Sequence, residues 1–115
     1  MTEAERKIAG IIWDRGSITT SDLAKICLEK YGWKTTTTYT FVTRLKNKGY
    51  IIPEEKYLKM SVPKESYLQE KARDTVIDDF SGSLPMFVNA FTKKEKLSEE
   101  DIRELQKIID RYKEE

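Results

Sequence analysis

The chain has 115 residues, 38% hydrophobic and 36% charged, with a net charge of +1, one cysteine and no histidine. That length holds one domain, or one compact unit with an appended arm, and so high a charge load leaves a modest core that a second copy would complete. One cysteine and no histidine exclude an internal disulfide framework and a Cys/His metal site, and no cofactor is expected.

Thr2-Glu3-Ala4-Glu5 reads as a capping box, and behind it Ala4, Ile8, Ile11 and Ile12 fall on one helical face that Gly16 ends. Thr19-Thr20-Ser21-Asp22 starts a second helix, with Leu23, Ile26 and Cys27 on its inner side and Gly32 at its end. Cys27 reads as a small core residue. The opening MTEAERK has no apolar signal region and no run approaches the ~18 apolar residues of a membrane span, so no membrane and a cytoplasmic setting are expected.

The third predicted helix, residues 35–48, raises the functional question. Threonine forms helices poorly because of its β-branch, yet six threonines stand here at helical spacing. At 100° per residue, Thr38, Phe41, Val42 and Leu45 make a core-facing stripe. Thr36, Thr40, Thr43 and Asn47 fall opposite, flanked by Thr37 and Arg44 on one edge and Tyr39 on the other. That outer face is small, uncharged at its centre and rich in hydroxyls, where a solvated face would carry Glu and Lys. Short side chains let a helix approach base edges in the major groove, and threonine offers both a hydroxyl and a methyl. Arg44 could reach a guanine or a phosphate, and Lys34, Lys46 and Lys48 the phosphate backbone. The bland alternative is a poorly selected surface with a solvated basic edge.

Tyr50-Ile51-Ile52, a turn at Pro53-Glu54-Glu55-Lys56, and Tyr57, Met60 and Val62 read as a β-hairpin closed by Pro63. Three helices and a hairpin make the winged-helix layout. Helices resume near residue 64, where Tyr67, Ala72, Val76, Ile77 and Phe80 give an amphipathic segment. Ser81-Gly82-Ser83 breaks them, Pro85 suits the first turn of the next helix, and Ser98 caps the last. Leu84, Met86, Phe87, Val88 and Phe91, with Ile102, Leu105, Ile108 and Ile109, are too apolar for a lone arm and are expected to bury against a second copy rather than fold back. Residues 1–63 hold 11 Lys/Arg against 7 Asp/Glu, and residues 64–115 hold 10 against 13. A basic first half and an acidic second half suggest two jobs on one chain. The expected class is mainly α with a small β-hairpin: a winged helix-turn-helix at 1–63 and a helical dimerisation domain at 64–115.

An enzyme is not expected. There is no histidine for base work, no Gly-rich phosphate loop and no nucleophile–base pair, and the adjacent carboxylates Asp78-Asp79 and Glu99-Glu100-Asp101 point apart on their helices. The rival function is a winged helix used for protein contact within a larger assembly.

The early Glu5, the Ile12-Trp13 pair, the Thr19…Asp22 cap, Trp33, the gap-free run from Thr37 to Tyr50, and the last segment LSEEDIRELQKIID resemble the penicillinase-repressor family of bacterial transcription factors, the BlaI/MecI/CopY group. The resemblance implies a homodimeric repressor on an inverted-repeat, palindromic DNA operator. It places Thr36, Thr37, Tyr39, Thr40, Thr43 and Arg44 in or beside the major groove, and Lys46 and Lys48 near flanking phosphates. This chain departs from the family in places. Lys34 stands where relatives carry a capping side chain, so a cap from Thr35 is expected. Glu54 and Glu55 in the wing turn would repel phosphates, so little wing contact is expected. The copper-responsive branch's cysteine cluster is missing. The resemblance also points to a regulatory protease as partner, but the family's Asn-Phe cleavage pair is Ala90-Phe91 here, with Asn89 one residue earlier.

Overall fold

Thr2 and Glu5 close the expected capping box: the Thr2 hydroxyl accepts from the Glu5 amide and the Glu5 carboxylate from the Thr2 amide. From that nucleus the computed structural model, which describes all residues from Met1 to Glu115, runs α1 (Glu3–Arg15), β1 (Ile18–Thr19), α2 (Thr20–Tyr31) and α3 (Thr35–Asn47). It continues through β2 (Ile51–Glu54), β3 (Tyr57–Met60), α4 (Lys64–Asp79), α5 (Leu84–Thr92) and α6 (Glu99–Glu114). Gly16 and Gly32 end the first two helices at positive φ, the latter in the left-handed region where a side chain would strain the backbone.

The core joins α1, α2 and α3 to the sheet. Ile8, Ile12, Leu23, Cys27, Thr38 and Leu45 are fully buried, and Ile18, Ile51, Leu58 and Met60 close the open end. Each such aliphatic side chain contributes about 1.5–3 kcal/mol by leaving water. Burial pushes the Cys27 thiol pKa up, an effect only partly offset by the Thr38 hydroxyl, which makes Cys27 an unreactive core residue.

The sheet differs from the expected hairpin in three ways. A third strand, β1, pairs antiparallel with β3 through Ile18 and Leu58, giving the order β1-β3-β2. Two residues are too few for a periodic signal, so only the partner strand reveals them. The turn is Glu55-Lys56 alone, because Pro53 and Glu54 continue β2 opposite Leu58 and Tyr57. Proline is tolerated there because β2 is an edge strand with no partner on its outer side. Val62 lies beyond β3, and its carbonyl accepts a hydrogen bond from the Trp13 indole at 2.8 Å.

Glu55 sits at φ 58°, a left-handed conformation that costs a non-glycine residue about 1 kcal/mol. Glu55→Gly is therefore expected to stabilise the chain by about 0.5–1 kcal/mol, read as a higher urea midpoint at unchanged slope. An unchanged or lower midpoint would show that the turn holds no such strain.

The chain divides into two compact units, Met1–Glu70 and Lys71–Glu115, with α4 beginning in the first and ending in the second. Tyr67 anchors the start of α4 by packing on Trp13 and edge-on against Tyr50, with ring centroids 5.5 and 6.2 Å apart. In the second unit Phe80 meets Phe87 edge to face. Ser83 caps α5 with proline in its first turn, and Ser98 and Asp101 form a capping box on α6. No residue of α4, α5 or α6 is buried. No helix is long and apolar enough to cross a membrane.

Candidate nucleic-acid interface

α3 buries Thr38, Val42 and Leu45 and leaves Phe41 half-buried, as the helical wheel requires. Thr36, Thr40, Thr43 and Asn47 are exposed on the opposite side, with Tyr39, Arg44 and Lys46 also exposed and Thr37 half-buried. No acidic residue occurs between Lys34 and Lys48. Exposed residues thus form a low, hydroxyl-rich ridge with cations along its edges, a shape and charge suited to a groove walled by phosphates.

Two of the hydroxyls are already engaged. Thr40 Oγ1 donates to the Thr36 carbonyl and Thr43 Oγ1 to the Tyr39 carbonyl, each at 3.0 Å. The expected cap from Thr35 does not form. Thr35 is the first helical residue, and Lys34 occupies the N-cap without a side-chain hydrogen bond, since lysine has no acceptor. The first amides of α3 are thereby left to water or an anion.

Aromatic residues brace the helix from the side. Tyr31 packs on Trp33 at 4.9 Å and Trp33 on Phe41 at 5.4 Å between centroids, while Lys7 lies 4.8 Å over Tyr31. The Arg44 guanidinium rests 5.5 Å from the Phe41 ring centroid, a cation–π contact that limits the directions it samples. The sequence signal for this brace was the clustering of Tyr31, Trp33 and Phe41 around the α2–α3 connection; Phe41 was read as part of the core-facing stripe and Trp33 within the family resemblance, and Tyr31 was not singled out.

Lys48 stands apart from the other cations. Its ammonium lies 2.8 Å from Glu5 Oε1, on the side of α3 that meets α1. Glu5 is fully buried, and its second carboxylate oxygen has no partner. Burial pushes the Glu5 carboxyl pKa up. The hydrogen bonds from Lys48 and from the Thr2 amide and hydroxyl, with the Lys48 charge, outweigh that and lower it from 4.5 to about 2. Sequence reasoning saw Glu5 as a capping residue and as part of the family resemblance, not as half of a buried ion pair. The available signal was its place on the face of α1 that also carries Ile8 and Ile12.

The residues assigned to self-association form an uncovered apolar surface in the second unit. Leu84, Met86, Phe91, Ile102, Leu105, Ile108 and Ile109 are all exposed, and Phe87 and Val88 are half-buried. Phe87, Val88, Phe91, Leu97, Leu105 and Ile108 line most of a groove of about 370 Å³ between α5 and α6. The wing tip, Glu54 and Glu55, is exposed.

The family model described as penicillinase repressor matches residues 1–111. The penicillinase repressor of Bacillus licheniformis is 25% identical over 117 residues, covering 98% of this chain and 91% of that protein. The methicillin resistance regulatory protein MecI of Staphylococcus aureus is 26% identical over 115 residues, covering 96% and 94%. Among solved structures, the oxidised form of MarR from E. coli aligns with a TM-score of 0.48 and 19% identity, over 97% of this chain and 75% of that one.

Proposed function

This chain belongs to the penicillinase repressor family, and from that premise we propose that it is a homodimeric transcriptional repressor whose α3 enters the major groove of a palindromic operator. The family is one of repressors, not enzymes. One observation carries the proposal: the exposed, acid-free threonine ridge of α3, with Arg44 steadied at its edge by Phe41.

In this proposal Thr36, Thr37, Tyr39, Thr40 and Thr43 face base edges and Arg44 a guanine or a phosphate. Lys34 and Lys46 serve the flanking phosphates. Lys48 contributes charge nearby, but its ammonium is held by Glu5. The uncovered apolar surfaces of α5 and α6 support pairing of two chains, which would present two recognition helices to half-sites about one DNA turn apart. A protease acting at Ala90-Phe91 would have to open α5, because both residues lie inside that helix.

Arg44→Ala is expected to weaken operator binding by about 1–3 kcal/mol if Arg44 pairs with a base, and to relax the preference at that position. The measurement is fluorescence anisotropy on a duplex selected from random sequence, repeated over a range of salt. Unchanged affinity would remove Arg44 from the interface. The exposed acidic wing tip favours the rival reading, a protein-contact module. Failure to select any duplex, or binding indifferent to salt, would establish that rival over the repressor.

A further inference from the structure

We infer that Thr40 and Thr43 read thymine through their methyl groups rather than through their hydroxyls, an inference that rests on the repressor reading above. The carrying observation is the pair of 3.0 Å bonds by which both hydroxyls donate to the helix's own carbonyls, those of Thr36 and Tyr39. A threonine hydroxyl has one proton, and here it is spent. What each exposed side chain retains for a partner is its Cγ2 methyl and an oxygen that can only accept.

That inventory discriminates among base pairs. The major-groove edge of guanine offers two acceptors, N7 and O6, and finds no donor at these positions. An A·T pair offers the thymine C5-methyl, which suits the outward methyl of each threonine. Cytosine carries no methyl, so a C·G pair offers nothing for that contact. Residues three apart on a helix have Cβ atoms roughly 5–6 Å apart. Base pairs stack about 3.4 Å apart along the duplex. The two contacted thymines therefore lie within two base steps of each other in each half-site, with Arg44, the next residue, reaching a neighbouring position.

The test uses the full-length chain and the duplex it selects from random sequence. Each thymine is replaced in turn by deoxyuridine, which lacks only the 5-methyl. Binding is compared for the wild type, Thr40→Val, Thr43→Val, Thr40→Ser and Thr43→Ser. Valine keeps the outward methyl without a hydroxyl, and serine the reverse. Thermal denaturation checks that each variant folds, and the deoxyuridine series on the wild type needs no variant at all.

At one or two thymines per half-site, deoxyuridine is expected to weaken wild-type binding about fourfold per methyl, the equivalent of one buried methylene. The valine variants should stay sensitive to deoxyuridine, while the serine variants lose about fourfold and become indifferent to it. The inference is overturned if no deoxyuridine substitution weakens the wild type. It is equally overturned if the valine variants lose about tenfold while the serine variants bind normally, the signature of a hydroxyl bonded to a base. A selected duplex with no methyl dependence sinks this inference and leaves the repressor standing. The absence of any preferred duplex sinks both.

Discussion

Lys48→Met is expected to remove about 2–4 kcal/mol of folding stability, more than most surface substitutions. The Lys48 side chain is 46% exposed, so losing its own charge costs little. The cost falls on Glu5, whose side chain is fully buried and would be left as a carboxylate without a cation. Lys48→Arg should recover much of the loss by restoring a cation. The double variant Glu5→Met with Lys48→Met should also recover much of it, because an apolar pair needs no desolvated charge.

The same pair sets an acid limit. The folded-state pKa of Glu5, about 2, lies below its ordinary 4.5, so the unfolded chain binds the proton more readily. The stabilisation is therefore complete above about pH 4.5 and is lost as pH falls towards 2, a change of about 3 kcal/mol. Without Lys48, burial acts against only the Thr2 contacts, the carboxyl pKa rises, and this acid-side loss shrinks. Urea denaturation at neutral and acid pH measures both effects. A Lys48→Met variant as stable as wild type at pH 7 would show that the ion pair anchors nothing.

Ile108→Glu is expected to give a monomer and to reduce operator affinity by a factor of about 10²–10⁴. Ile108 is 46% exposed on α6 and lines the groove that Phe87, Val88 and Phe91 of α5 share with it. In a two-fold pair each substitution acts twice, placing two carboxylates in an apolar interface. A monomer holds one recognition helix and loses the effective concentration that its second half-site contact would supply. Sedimentation analysis gives the oligomeric state, circular dichroism the helix content, and anisotropy the binding. A variant that stays dimeric with wild-type affinity would move the interface away from α5 and α6.

Much of the first unit was legible because local signals agreed. The capping box at Thr2, the cap at Thr19 and the glycines at 16 and 32 bound α1 and α2 where the backbone bounds them. The wheel over residues 36–48 separated Thr38, Val42 and Leu45 from Thr36, Thr40 and Thr43, and burial follows that separation. Helical period is a property of neighbouring residues, so it can be read without knowing the fold. Strand bounds could not. Proline and two glutamates looked like a turn, yet Pro53 and Glu54 pair with β3, and only the edge position of β2 makes that affordable.

The amino-acid order by itself determined the helices, their caps, and which side of α3 would face outwards, because these depend on contacts within a few residues. Only the tertiary structure decided that Lys48 binds Glu5, 43 residues away, that Arg44 lies against Phe41 while Phe41 packs on Trp33, and that β1 exists at all. The physical reason is that an ion pair, a ring contact and a two-residue strand are each defined by a partner, and the partner's position is set by how the helices pack.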